Sequence, residues 1–224
     1  MYISEIFYSV QGEGRLVGVP SVFIRTSGCN LRCSWCDSAY TSWNPEGDEM
    51  TVDEVVEEAE SYGASHYVVT GGEPLIHDEI GELCERLDGH VTVETNATVY
   101  DENEIDADLM SLSPKLSNST PDTGGDWDER HDERRIDTEV IQRWISNYDY
   151  QLKFVVTDED DLEEIDGILG DVEADDGKVV LMPEGTDSET VRQRARWIAE
   201  ICKERGFRLS PRLHVDIYGD ERGR

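Results

Sequence analysis

The chain has 224 residues and a formal net charge of −31, from 20 Lys plus Arg against 51 Asp plus Glu. A field of that sign repels phosphates, which argues against a nucleic-acid-binding surface and against docking on an anionic membrane. Only 37% of residues are hydrophobic, low enough to raise the question of disorder, but they fall in periodic blocks that specify a folded protein with an acidic skin. Lys115, Lys153, Lys178 and Lys203 are the only lysines. An acidic excess with so few lysines suggests adaptation to concentrated salt, which screens carboxylate repulsion. No stretch approaches the roughly 20 apolar residues of a spanning helix, and Met1 to Val10 has no basic region before an apolar run; a cytoplasmic protein is expected.

Taken in chain order, Val19 to Thr26 is apolar and β-branched and predicts a strand, followed by a cysteine-bearing loop. Thr51 and Glu54 form a capping box at the start of a helix whose buried stripe is Val52, Val55, Val56 and Ala59. Tyr67 to Thr70 predicts a short strand ending in Gly71 and Gly72. Ile80, Leu83, Cys84 and Leu87 share a helical face. Val91 to Thr95 and Asp108 to Leu112 predict strands. Pro114 to Asp137 is polar and charged and reads as a long loop, with 117–137 an acidic insertion. Thr138 to Tyr148 predicts a helix, Leu152 to Val156 a strand, Asp158 to Leu169 a helix, Val179 to Met182 a strand and Ser188 to Arg205 a long helix. Arg208 to Tyr218 is expected to close the chain in extended form. This alternation implies an α/β fold, an open or partial β/α barrel of about six parallel strands in a single domain, with chemistry at the C-terminal strand ends.

Cys29, Cys33 and Cys36 form C-x3-C-x2-C. Three thiolates this close in a loop ask for a soft metal or an iron–sulfur cluster. A structural zinc would want a fourth protein ligand nearby, and three reduced thiols remain the bland alternative. Cys84 and Cys202 lie on apolar helical faces and are read as core. The histidines His66, His77, His90 and His131 carry no motif and are read as surface or cap residues.

The cysteine spacing after the first barrel strand resembles the radical S-adenosylmethionine (SAM) superfamily, and Thr70-Gly71-Gly72-Glu73-Pro74 resembles its GGEP motif. That resemblance implies a 4Fe–4S cluster on Cys29, Cys33 and Cys36 whose fourth iron chelates SAM. Gly71, Gly72 and Glu73 would then receive the methionyl ammonium.

Glu5 to Gly14 (EIFYSVQGEG) and the following GVPSVFIRTSGCNLRCSWCDSAYT resemble the 7-carboxy-7-deazaguanine synthase family, as do TGGEP, ETNAT, SPK, LKFVV, LMPEG and LHVDIYG further on. The resemblance implies a radical ring contraction of 6-carboxy-5,6,7,8-tetrahydropterin to 7-carboxy-7-deazaguanine, with loss of ammonia, on the way to queuosine or archaeosine. The 5′-deoxyadenosyl radical would abstract hydrogen from C6. Gln11, Gly12, Glu13, Arg25, Thr70, Gly72 and His214 would bind the pterin, with Arg25 on its carboxylate. An arginine inside an apolar strand needs a carboxylate partner in any case. Glu94, Thr95, Asn96, Ser113, Lys115 and Lys153 would contribute to SAM, with Met182 to Glu184 along the adenine. Ser38, where the family usually has threonine, would ligate Mg²⁺. The resemblance also implies a flavodoxin- or ferredoxin-type reductant, a homodimer and no contact with nucleic acid. A glycyl-radical-enzyme activase and a non-catalytic zinc or iron–sulfur module are the rival readings.

Overall fold

A computed structural model describes residues 1–219 and 221–223. Its centre is a nine-stranded sheet in the order β3-β1-β2-β4-β5-β6-β7-β8-β9. The strands are β1 (Tyr2–Val10), β2 (Pro20–Thr26), β3 (Asp48–Glu49), β4 (His66–Gly71), β5 (His90–Thr95), β6 (Leu109–Leu112), β7 (Tyr150–Val156), β8 (Val179–Pro183) and β9 (Arg208–Leu209). From β2 through β9 every pairing is parallel, whereas β1 pairs antiparallel with β2 and β3. Six parallel strands carry the sheet, as the alternation predicts, and the two-residue β9 adds a seventh. The sheet ends in two edges and does not close into a barrel.

Strand alternation separates two faces. Val22 and Ile24, Tyr67 and Val69, Val91 and Val93, Met110 and Leu112, Leu152, Phe154 and Val156, then Val179 and Leu181 all point into one apolar core beneath the helices. Their neighbours in sequence, Phe23, Arg25, Thr70, Glu94, Ser111, Lys153, Val155 and Met182, line the opposite, concave face. A strand such as β7 is therefore buried throughout yet carries Gln151 and Lys153, because its polar residues point away from the helix layer.

The helices follow the predicted stripes. α1 (Ala39–Ser42) is one turn after the cysteine loop. In α2 (Val52–Ser61) the capping box is formed: Glu54 N–H donates to Thr51 Oγ1 and Thr51 N–H to the Glu54 carboxylate. α3 (Ile80–Arg86) buries Ile80, Leu83 and Cys84. α4 (Asp126–Arg134) is followed by α5 (Thr138–Asn147), α6 (Asp161–Asp171), α7 (Ser188–Arg205) and α8 (Leu213–Tyr218). Cys84 and Cys202 are core residues. Among the described residues no helix is long and apolar enough to cross a membrane.

Three sequence readings fail here. No strand was expected before Val19, yet β1 is nine residues long. A register shift between Ile3 and Glu5 puts Ile3 and Ile6 on the same buried side, and this bulge breaks the two-residue period by which a strand is recognised. The Pro114–Asp137 segment is not a loop: it contains a 3-10 turn (Ser117–Ser119) and α4. That helix holds a single large apolar residue, Trp127, so no hydrophobic stripe announces it. The Asp128 carboxylate accepts from the N–H groups of Thr123 and Gly124, and His131 is wholly buried rather than a surface residue. The extended close expected over Arg208 to Tyr218 is found only at its start, in β9 (Arg208–Leu209). Leu213, Val215 and Ile217 alternate like a strand, but they form α8, held by Leu213 N–H donating to Gly12 O at 2.9 Å.

Candidate active site

The concave face and the C-terminal strand ends enclose a cavity of about 450 Å³. Gln11, Gly12 and Glu13 enter from the turn after β1, Arg25 from β2, and the cysteine loop from just beyond β2. Thr70 and Gly71 end β4 with Gly72 just beyond it, Glu94 and Thr95 end β5 with Asn96 just beyond it, and Ser113 and Lys115 follow β6. Lys153 comes from β7 and His214 from α8. Pro183, between Met182 and Glu184, stays off the wall; the structure otherwise brings to one cavity every residue singled out from the sequence for a cluster, SAM, a pterin or Mg²⁺, with one exception.

The exception is Glu73. It is fully buried and does not line the cavity. Its carboxylate accepts from Leu75 N–H at 3.1 Å, Thr95 Oγ1 at 2.7 Å and Asn96 N–H at 2.7 Å. Glu73 therefore ties the end of β4 to the end of β5, and a ligand ammonium must find its acceptors among backbone and side-chain oxygens instead. The reversal follows from the chain's turn after the two glycines, which sends the next side chain inward.

The cysteines lie together at the cavity wall. Cys33 is buried, Cys29 and Cys36 are half-buried, and none forms a disulfide. Burial pushes the Cys29 thiol up to about 11 and the Cys33 thiol up to about 12. At neutral pH both keep their protons until a metal's charge displaces them, and three sulfurs in one loop fit a soft, positively charged group. The backbone beside it is drawn in closely: Glu73 N–H donates to Gly28 O at 2.9 Å, and a Cβ on Gly72 would lie 2.0 Å from that same oxygen.

Two polar groups share the cavity with the cysteines. In the first, Glu94 accepts from Gln11 Nε2 at 3.1 Å and from Thr70 Oγ1 at 3.0 Å. Glu94, read from sequence as a SAM residue, is thereby joined to two residues read as pterin ligands. In the second, Glu13 accepts from Lys153 Nζ at 2.5 Å and from Arg212 Nε at 3.2 Å, with His214 Nε2 at 3.9 Å. Lys153, also read as a SAM residue, belongs to this group. Burial alone would raise the Glu13 carboxyl, but Lys153, Arg212 and His214 reverse that and hold it well below the usual carboxylate range. Arg212 also donates to Gly185 O at 2.5 Å and to the Asp37 carboxylate.

Sequence reasoning missed Arg212 and Asp37. The one available signal was an arginine in a strongly acidic chain, two residues before His214. Arg25 has its expected carboxylate: Glu5 accepts from its Nε at 2.9 Å and from Tyr40 Oη at 2.7 Å. Among the described residues Lys115 is the cavity cation without a carboxylate partner; its Nζ donates to Ser113 Oγ at 2.8 Å. Ser38 is buried, with Oγ 3.4 Å from the Asp37 carboxylate.

A three-cysteine loop beyond the first parallel strand of an open sheet, with a double-glycine strand end packed on it, defines a radical SAM protein. Residues 23–114 match the model of the radical SAM superfamily, and membership implies a 4Fe–4S cluster and SAM. The particular family follows from the relatives. The chain is 48% identical over 234 residues to a 7-carboxy-7-deazaguanine synthase of Halobacterium salinarum, covering 97% of this chain and 90% of the relative. It is 41% identical to another from Rhodopirellula baltica, covering all of this chain and 88% of that one. Among solved structures it is similar to QueE from Escherichia coli, with a TM-score of 0.70, 26% identity and coverage of 95% and 94%. The chain belongs to the 7-carboxy-7-deazaguanine synthase family.

Proposed function

We propose that this chain contracts the ring of 6-carboxy-5,6,7,8-tetrahydropterin to give 7-carboxy-7-deazaguanine and ammonia, in 7-deazapurine biosynthesis. The observation that carries this is the placing of two polar groups, Gln11–Glu94–Thr70 and Glu13–Lys153–Arg212, in one cavity with the cysteine loop. When bound, the cluster and SAM would supply one-electron, hydrogen-abstracting chemistry.

The protein's own residues do the rest. Cys29, Cys33 and Cys36 hold the cluster. Gly71 and Gly72 let the end of β2 and the cysteine loop close onto the strand end beside which SAM would lie, while Ser113, Lys115 and Asn96 supply polar contacts. Lys115, with no carboxylate of its own, meets a ligand carboxylate. Gln11 and Glu94 read the donor and acceptor edge of the pterin. Glu13, kept ionised by Lys153 and Arg212, accepts from its ring N–H groups, and Gly12 brings His214 against the same edge. Arg25 turns its free guanidinium edge to the substrate carboxylate. Ser38, with Asp37 beside it, offers hard oxygens that fit Mg²⁺, which would fix that carboxylate. The buried walls exclude water while reactive species exist.

Resemblance to the family further supports a single-domain, cytoplasmic homodimer reduced by a flavodoxin or ferredoxin, its product passing to queuosine or archaeosine. Anaerobic protein with reconstituted cluster, SAM, reductant and the pterin is expected to produce new deazaguanine absorbance. Cys33→Ala is expected to abolish both cluster and turnover, and strict chelation to lower turnover. SAM cleavage without the new absorbance would overturn the assignment. The acidic surface carries its own expectation. Between about 0.1 M and 1 M KCl the Debye length falls from about 10 Å to 3 Å. The unfolding midpoint is therefore expected to rise over that range, and a midpoint highest in dilute buffer would count against salt adaptation.

A further inference from the structure

The segment read from sequence as an acidic loop grips the cysteine loop from behind. Two backbone N–H groups flank Cys33, those of Arg32 and Ser34. Arg32 N–H donates to His131 Nδ1 at 3.0 Å, and Ser34 N–H donates to Ser119 O at 2.8 Å. The two acceptors are themselves joined, with His131 Nε2 2.9 Å from Ser119 Oγ. Ser119 Oγ donates onward to Leu116 O at 2.6 Å, so it receives the imidazole proton. The proton must therefore sit on Nε2, because Nδ1 is the acceptor for Arg32. Burial holds His131 down at about 4, which keeps the ring neutral. Around this chain, Trp35 Nε1 donates to Asn118 O at 3.0 Å and the Arg32 guanidinium stacks on Trp127 at 4.1 Å. His131 and Ser119 are both wholly buried.

We propose that His131 is a positioning residue for the cluster, fixing the backbone on either side of Cys33 through Arg32 and Ser119. It touches neither thiolate nor substrate. It sets the peptide planes between Cys29 and Cys36 and hence the directions in which the three sulfurs point. Outer partners of metal ligands commonly decide how firmly the metal is held. The inference rests on the reading of Cys29, Cys33 and Cys36 as cluster ligands.

The test compares His131→Asn with His131→Leu. The Asn oxygen stands where Nδ1 stood and can accept from Arg32, whereas Leu accepts nothing. Each protein is reconstituted anaerobically and the release of iron to a chelator is timed, with thermal unfolding of the apo-protein as the folding control. Release from His131→Leu is expected to be at least about ten-fold faster than from the parent, with His131→Asn within about two-fold of it. The midpoint potential of the cluster is expected to shift in the Leu protein alone. Parental release from both variants, or equally fast release from both with parental apo unfolding, would overturn the proposal. Should His131→Leu fail to fold, His131→Gln replaces it, since its oxygen stands at the Nε2 position and leaves Arg32 unpaired; release equal to that of His131→Asn would overturn the proposal. A parent chain that takes up no iron would overturn the cluster reading as well, so the two failures are distinguishable.

Discussion

Arg212→Met is expected to cost about 3 kcal/mol of stability and to lower kcat/KM by about 100-fold. The guanidinium is 6% exposed and spans Glu13, Asp37 and Gly185 O, so its loss strips three acceptors at once. Glu13 keeps Lys153, which puts the cost at the low end of what breaking a buried pair brings. Arg212→Lys restores charge without the fork and is expected to recover stability better than turnover. The pH dependence has a definite sign. The Glu13 carboxyl is depressed below its ordinary 4.5, so its contribution is full above that pH and is lost as pH falls through the folded value. Without Arg212 the depression is smaller. The stability gap between parent and variant, measured by urea unfolding, is therefore expected to be wider at neutral pH than in acid below the variant's own folded Glu13 value, which itself lies under the ordinary 4.5. An equal gap at both would mean that Arg212 acts by packing and not by charge.

This network also marks where the sequence stops being readable. The cysteine spacing and the TGGEP strand end are local patterns, so both could be found without coordinates. Glu13 meets Lys153 across 140 residues, and Arg212 meets Asp37 across 175. Nothing in a short window encodes such a pair. Glu73 shows the complementary limit, since its place in a motif was legible but the direction of its side chain was not. Elements behaved in the same way. α2 and α5 carry apolar stripes and were found, whereas α4 is held by His131 and Asp128 and left no periodic trace. α8 alternates like a strand and is helical because of its contact with the QGEG turn.

The double glycine at the end of β4 supplies the other large effect. Gly72→Ala would place a Cβ 2.0 Å from Gly28 O, 2.6 Å from its carbonyl carbon and 2.9 Å from Cys29 Cβ. Two of these are backbone atoms, so relief requires moving the start of the cysteine loop by about 1 Å, at a cost of about 1–3 kcal/mol. Glu73 N–H donates to Gly28 O and Gly72 N–H to Thr26 O, so the shift also loosens the contact by which β4 seats that loop. Iron retained after reconstitution is expected to fall to a tenth or less, as for loss of a group that orients a metal ligand, which commonly costs about 10–100-fold in affinity. Gly18→Ala is the matched control. Gly18 has φ +86, and its added Cβ meets nothing within 4 Å. It carries backbone strain of about 1–2 kcal/mol but no approach to the cluster loop. It is expected to lower the unfolding midpoint while leaving iron content at the parental level. The two alanines therefore separate general destabilisation from displacement of Cys29. Full iron in Gly72→Ala would mean that the loop yields without losing its grip, and equal iron loss in both would mean that backbone strain elsewhere in the fold suffices.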